Sequence, residues 1–214
     1  YVVELTGPYA TTYKKDMAGE DTGYTSGNIY VKYAAGTPEK PAPDAPSSWA
    51  AWQINAAAAA GIVPKALQES YTQATTRAEF CALAVALYET AKGSEITGRT
   101  QFADTTDINV EKMAALKVVN GITDDKFAPD QKLTREQAAT MLSRLASAMG
   151  KPLTAQTATF ADRTSISSWA TDSVGQVQAA GIMSGVGDNM FDPKGDYTRE
   201  QSIVTMMRLF EAVK

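Results

Sequence analysis

The chain repeats itself, and the repeat decides what it can fold into. Thr-Arg pairs stand at Thr76-Arg77, Thr134-Arg135 and Thr198-Arg199, inside "ATTRAEF", "KLTREQA" and "DYTREQS". Gly-Ile pairs begin at Gly61, Gly121 and Gly181, a spacing of 60 residues both times. "FADTTDI" (Phe102–Ile108) and "FADRTSI" (Phe160–Ile166) open a second and a third unit. "DKFAPD" and "NMFDPK" match in their loops, and "SSWA" occurs at 47–50 and 167–170. Ordered self-similarity of this kind marks a chain of small supersecondary units, none able to bury its apolar face alone. Three units follow, at about 47–97, 98–152 and 153–214.

Each unit reads as helix, loop, helix. The first helix runs from the "SSWA" region to the glycine, where Gly61, Gly121 and Gly181 are expected as left-handed C′ residues with the following Ile as their apolar contact. The second begins at the Thr. Its apolar positions recur at helical spacing: Phe80, Leu83, Ala84 and Leu87, then Ala138, Met141, Leu142 and Leu145, then Ile203, Met206, Phe210 and Val213. One such stripe covers one face only. Three facing one another close a core, so the pattern predicts a mainly α, pseudo-threefold domain from about 47 to 214.

Residues 36–46 carry four of the nine prolines and read as an extended linker. Before it, "YVVEL" and "NIYVKY" read as strands, so residues 1–35 are expected to be a short β segment, the tail of an upstream domain. A chain beginning at Tyr1 rather than Met is expected to be a mature or excised piece. A net charge of −4 supplies no basic field for nucleic acid, and no apolar run has the length of a membrane span. With one cysteine and no histidine, an intrachain disulfide, Cys/His zinc sites and histidine-based triads are excluded. Cys81, inside "AEFCALAVAL", reads as a small core residue. "GVGDNM" lacks the third glycine of a dinucleotide loop, and "DTTDIN" and "GDNMFDPKGD" lack calcium-loop spacing. No cofactor and no metal is expected.

Thr-Arg-x-Glu/Gln is a capping box: Thr76, Thr134 and Thr198 as N-caps, with Glu79, Gln137 and Gln201 bonding back from N3. The cap leaves Arg77, Arg135 and Arg199 over, at a position where the helix dipole mildly disfavours a cation. Duplication of one unit would by itself keep an arginine at all three places, and two physical explanations stand beside that. The arginines, beside helix-end amides, bind a carboxylate ligand, or they pair with Asp104 or Asp162 of a neighbouring unit.

The set F-x-D, W-A, G-I, F-x-P and T-R-x-E/Q, repeated along 47–214, resembles the S-layer homology domain family. The resemblance implies a pseudo-trimer with a central bundle of helices and grooves between units. It implies a cell-wall anchor without enzymatic activity, lying outside the cell at the wall or S-layer. The implied partner is secondary cell-wall polysaccharide, a pyruvylated and therefore carboxylate-bearing glycan, with peptidoglycan as a further candidate. Carried onto this chain, the implied ligand-binding residues are Arg77, Arg135 and Arg199, with Trp49 and Trp169, whose indoles can stack on sugar rings or serve the core. The second unit has Asn109-Val110 near the place of Trp-Ala, and the first lacks F-x-D and F-x-P, so three working grooves are not assumed. Two other classes remain: a wall-glycan enzyme using carboxylates among Glu79, Glu200 and the loop aspartates, and a self-assembly module without glycan affinity.

Overall fold

The structure, a computed structural model, describes residues 45–214. The expected β segment and nearly all of the linker lie outside the described residues. The described part is mainly helical, with six α-helices: α1 Ala51–Ala59, α2 Arg77–Lys92, α3 Ile108–Ala115, α4 Arg135–Ala148, α5 Thr171–Ala179 and α6 Arg199–Val213. Short 3-10 turns cover Lys65–Leu67 and Arg163–Ser165. Extended pairing among the described residues is confined to isolated bridges.

All three long helices start on the capping box. Thr76 Oγ1 accepts the Glu79 N–H at 3.2 Å while Glu79 Oε2 accepts the Thr76 N–H at 2.9 Å. Thr134 with Gln137 and Thr198 with Gln201 do the same. The stripes named above are buried in all three helices. Burial also takes Cys81 into the core and pushes its thiol pKa up, which leaves it protonated and inert.

The first helix of each unit finds its main partner in another unit. α3 packs on α2, α5 on α4, and α1 on α6; α6 also packs against α2 and α4. The residues just before the long helices tie the units together in a closed circuit of backbone hydrogen bonds. Thr75 N–H donates to Tyr197 O (2.8 Å), Tyr197 N–H to Leu133 O (3.1 Å), and Leu133 N–H to Thr75 O (3.0 Å). Each unit thus supplies one donor and one acceptor that only the other two units can satisfy.

The Gly-Ile register holds for two units and fails for the second. Gly61 and Gly181 end α1 and α5 with φ of 75° and 68°, but α3 ends earlier, and Lys117 takes the left-handed position with φ of 60°. The hydrogen bonds fix the equivalence: Ile62, Val118 and Ile182 donate to Ala57, Met113 and Val177. Gly121 therefore corresponds to Gly185, not to Gly181. Both need to be glycine for another reason. A Cβ on Gly121 would lie 2.3 Å from Thr123 O, and one on Gly185 2.6 Å from Met190 O.

Candidate functional site

The helix starts are not open anion sites. At α2 the amides of Arg77 and Ala78 donate to Gln131 O and Pro129 O; at α4 those of Arg135 and Glu136 donate to Gly195 O and Pro193 O; at α6 those of Arg199 and Glu200 donate to Gln73 O and Tyr71 O. The capping Thr takes the next amide. Neighbouring-loop carbonyls therefore quench the positive ends of the dipoles, and the expectation that helix-end amides assist a ligand is corrected.

The arginine side chains return to the same loops. Arg77 Nε donates to Phe127 O (2.9 Å) and its Nη2 to Asn120 O (2.6 Å), with the guanidinium 4.3 Å from the centre of the Phe127 ring. Arg135 repeats this on Phe191 O (2.7 Å) and Ser184 O (2.7 Å), 4.9 Å from the Phe191 ring. Arg77, Arg135 and Arg199 are 6%, 4% and 7% exposed. Burial lowers the pKa of Arg77 and Arg135 from the usual guanidinium value, yet a guanidinium stays charged at physiological pH. Two of five N–H groups are used in each case, and three remain.

The pairing expected with Asp104 and Asp162 takes a different form. Each aspartate accepts two amides of the F-x-P loop: Phe127 and Ala128 for Asp104, Phe191 and Asp192 for Asp162. The aspartates shape the loop, and the loop's carbonyls receive the arginine.

Trp49 and Trp169 are 54% and 56% exposed and do not serve the core. Each lies two residues after a serine held by a buried carboxylate. Ser167 donates through N–H (2.9 Å) and Oγ (3.0 Å) to Glu136, and Ser47 does so at the same distances to Glu200. Each tryptophan segment is thereby clamped to the start of another unit's long helix.

One clamp brings two of the expected residues together. A cleft of about 170 Å³ is lined by Arg77 from the first unit, Asn120, Gly121, Gln137, Thr140, Met141 and Arg144 from the second, and Trp169 from the third. Arg144 is a second cation there: its Nη1 donates to the side-chain oxygen of Asn120, 3.3 Å away once that amide is turned toward it. The third unit repeats the arrangement. Arg208 donates to Ser184 Oγ (3.2 Å) and to Gln53 on α1 (3.3 Å), beside the loop that receives Arg135 and on the helix that follows Trp49. Arg144 and Arg208 escaped the sequence reading. Both stand nine residues after the motif arginine, a spacing visible once the long helices are aligned.

The third arrangement departs from this pattern. Val110 is equivalent to Val174, yet five residues separate Asp104 from Val110 and eleven separate Asp162 from Val174. The second unit therefore has no tryptophan segment, and Asn109 does not stand in for Trp; it lies on α3. The clamp is missing with it, because Ala78 occupies the place of Glu136 and Glu200. Arg199 Nη1 donates to Glu69 O (2.5 Å), while Nη2 pairs with Glu79 Oε1 at 2.5 Å.

Buried cations, exposed indoles and shaped loops thus meet where the repeated helical units contact one another. The S-layer homology domain model matches residues 104–139 and 159–201, as expected of S-layer homology repeats in those segments. Such domains are anchoring modules, and the match places the chain at the cell wall or surface. Among curated proteins it is similar to an amylopullulanase of Thermoanaerobacterium thermosulfurigenes, 28% identical over 94% of this chain and 11% of the relative. An endoglucanase of Bacillus sp. (strain KSM-635) is 37% identical over 40% of this chain and 9% of its own length. A cell surface protein of Thermoanaerobacter kivui is 26% identical over 60% of this chain and 16% of its own. The chain thus spans 9% to 16% of the length of these relatives. Among the described residues no helix is long and apolar enough to cross a membrane.

Proposed function

We propose that the domain ties a larger protein to the wall by reversible binding of an anionic glycan, a pyruvylated secondary cell-wall polymer, in clefts between its units. The observation that carries this reading is the convergence of Arg77, Arg144 and Trp169, one from each unit, on a single cleft. Two guanidinium groups suit a carboxylate, and an exposed indole beside them suits a sugar face. The cyclic order of contacts supports a pseudo-threefold arrangement with the long helices as its central bundle, which puts such clefts at the seams.

The domain acts in this reading without turnover. Glu136 and Glu200 are engaged in the serine clamps, and Glu79 in its cap and its ion pair with Arg199. The enzymes among the relatives share only a small part of their length with this chain, as an anchoring module attached to varied activities would.

The test is co-sedimentation with purified cell walls before and after the secondary polymer is stripped. Binding is expected to vanish on stripping. Undiminished binding to stripped walls would point to peptidoglycan instead and sink the polymer reading.

A further inference from the structure

We infer that Glu79 decides how many clefts work: its carboxylate occupies the anion position of the Arg199 cleft, leaving two ligand sites, at Arg77 and Arg135. The inference rests on the anionic-glycan reading and goes beyond it by assigning a closed cleft and the residue that closes it.

Three differences combine at that cleft. Position N3 of α2 is Glu79, where α4 and α6 have the neutral Gln137 and Gln201. All three cap their helix identically, so capping does not demand the charge. Among the described residues, Glu79 is the carboxylate that any of the three motif arginines meets within ion-pair distance.

The loop of the first unit turns Arg199 toward it. Glu69 stands where Phe127 and Phe191 stand, so there is no ring for the guanidinium to lie over. Pro64 is equivalent to Asn120 and Ser184, but its carbonyl already accepts the Leu67 N–H of the 3-10 turn at 2.8 Å. Nη2 of Arg199 is left without the acceptor it has in the other units and takes Glu79 instead. Nη1, rather than Nε, reaches the loop, at Glu69 O. Arg199 Nε is consequently a buried donor with no partner. The guanidinium is rotated away from the pose that Arg77 and Arg135 share.

Nothing else in the cleft would favour a glycan. The tryptophan segment is absent, and Ala86 replaces Arg144 and Arg208. An incoming carboxylate would have to displace a part-buried ion pair and leave Glu79 without its cation, which is costly.

The test follows the side-chain Nε–H NMR signals of Arg77, Arg135 and Arg199 in the full chain while sodium pyruvate, a bare carboxylate that needs no indole, is titrated. In the unaltered protein, Arg77 and Arg135 are expected to respond and Arg199 to bind at least about tenfold more weakly. In Glu79→Gln, which supplies the residue found at the other two caps, Arg199 is expected to come within about threefold of the others. A response of Arg199 in the unaltered protein equal to that of Arg77 overturns the inference. So does an Arg199 that stays silent in Glu79→Gln while the melting temperature shows the variant folded. Calorimetry with a pyruvylated N-acetylmannosaminide should give two sites per chain, and three equivalent sites would also refute the closure. Silence of Arg77 and Arg135 toward that sugar would instead sink the glycan reading; the closure is judged on Arg199 alone.

Discussion

Ser47 and Glu200 stand 153 positions apart and meet through two hydrogen bonds, of 2.9 Å from the Ser47 N–H and 3.0 Å from its Oγ. They join the first unit to the last, which no stretch of backbone connects directly. Removing the acceptor leaves two donors facing a buried gap, so Glu200→Ala should cost about 2–3 kcal/mol, against about 1–2 kcal/mol for Ser47→Ala. Urea midpoints should show the pair strongly coupled, the double variant costing clearly less than the sum. Simple additivity would mean that the clamp is not what holds Trp49 in place.

Arg77 and Trp169 line one cleft and should fail differently. Trp169 is half exposed, so Trp169→Ala should leave stability within about 0.5 kcal/mol while weakening wall-polymer binding about tenfold or more. Arg77→Ala abandons the buried Phe127 carbonyl and the part-buried contact to Asn120 O, and should cost about 1–3 kcal/mol of stability as well as affinity. Thermal melts beside polymer-binding isotherms separate the two effects. A Trp169→Ala protein that binds normally would remove the indole from the site.

Acid should loosen the F-x-P loops before the core. The amides of Phe127 and Ala128 hold the Asp104 carboxyl below the usual carboxylate range. At Asp162, partial burial works upward, and the amides of Phe191 and Asp192 outweigh it, so its pKa is also lowered. A carboxyl with a lower pKa folded than unfolded stabilises the fold fully above its unfolded value, about 3.9, and that contribution is lost as pH falls through the folded value. Stability should therefore be flat down to about pH 5 and decline below about pH 4, with a shallower decline in Asp162→Asn. Urea titrations at stepped pH would show it. A gap between the two proteins that fails to narrow in acid would contradict the assignment.

The second unit offers a paired test of backbone geometry. Lys117 holds a left-handed φ of 60°, so Lys117→Gly should stabilise by about 0.5–1 kcal/mol. Gly121→Ala would drive a Cβ into Thr123 O and should destabilise by about 2 kcal/mol or more. Calorimetric melting temperatures moving in opposite directions would confirm that Lys117, not Gly121, ends the helix. Two shifts of the same sign would restore the register suggested by the Gly-Ile pairs.

What could be read from the chain was whatever local chemistry sets. The caps at Thr76, Thr134 and Thr198, the buried stripes and the helical class all depend on neighbours within one or two turns. What could not be read depended on distant partners. Lys117 looks like any helix-end lysine until its φ is known, and the coincidence of Gly121-Ile122 with the other Gly-Ile pairs hid a six-residue difference before Val110. The occupation of the helix-start amides was also invisible, because their acceptors come from loops some fifty residues onward or, for α6, from the other end of the chain. The convergence of Arg77 with Trp169 is legible in sequence only as two motif positions, and the fold is what makes them neighbours.

The packing of α1 on α6 gives the domain a mechanical polarity. Tension arriving from the residues before 45 reaches α1 first, and α1 is held to α6 by noncovalent contacts alone, with the Ser47–Glu200 clamp at the leading edge. Load would peel this seam open one bond at a time. Trp49 sits in the path of that peeling, whereas Trp169, two units downstream, is shielded from it. A tether pulled from its N-terminal side would surrender the Arg135 cleft before the Arg77 cleft, so its grip under force would fail in two steps.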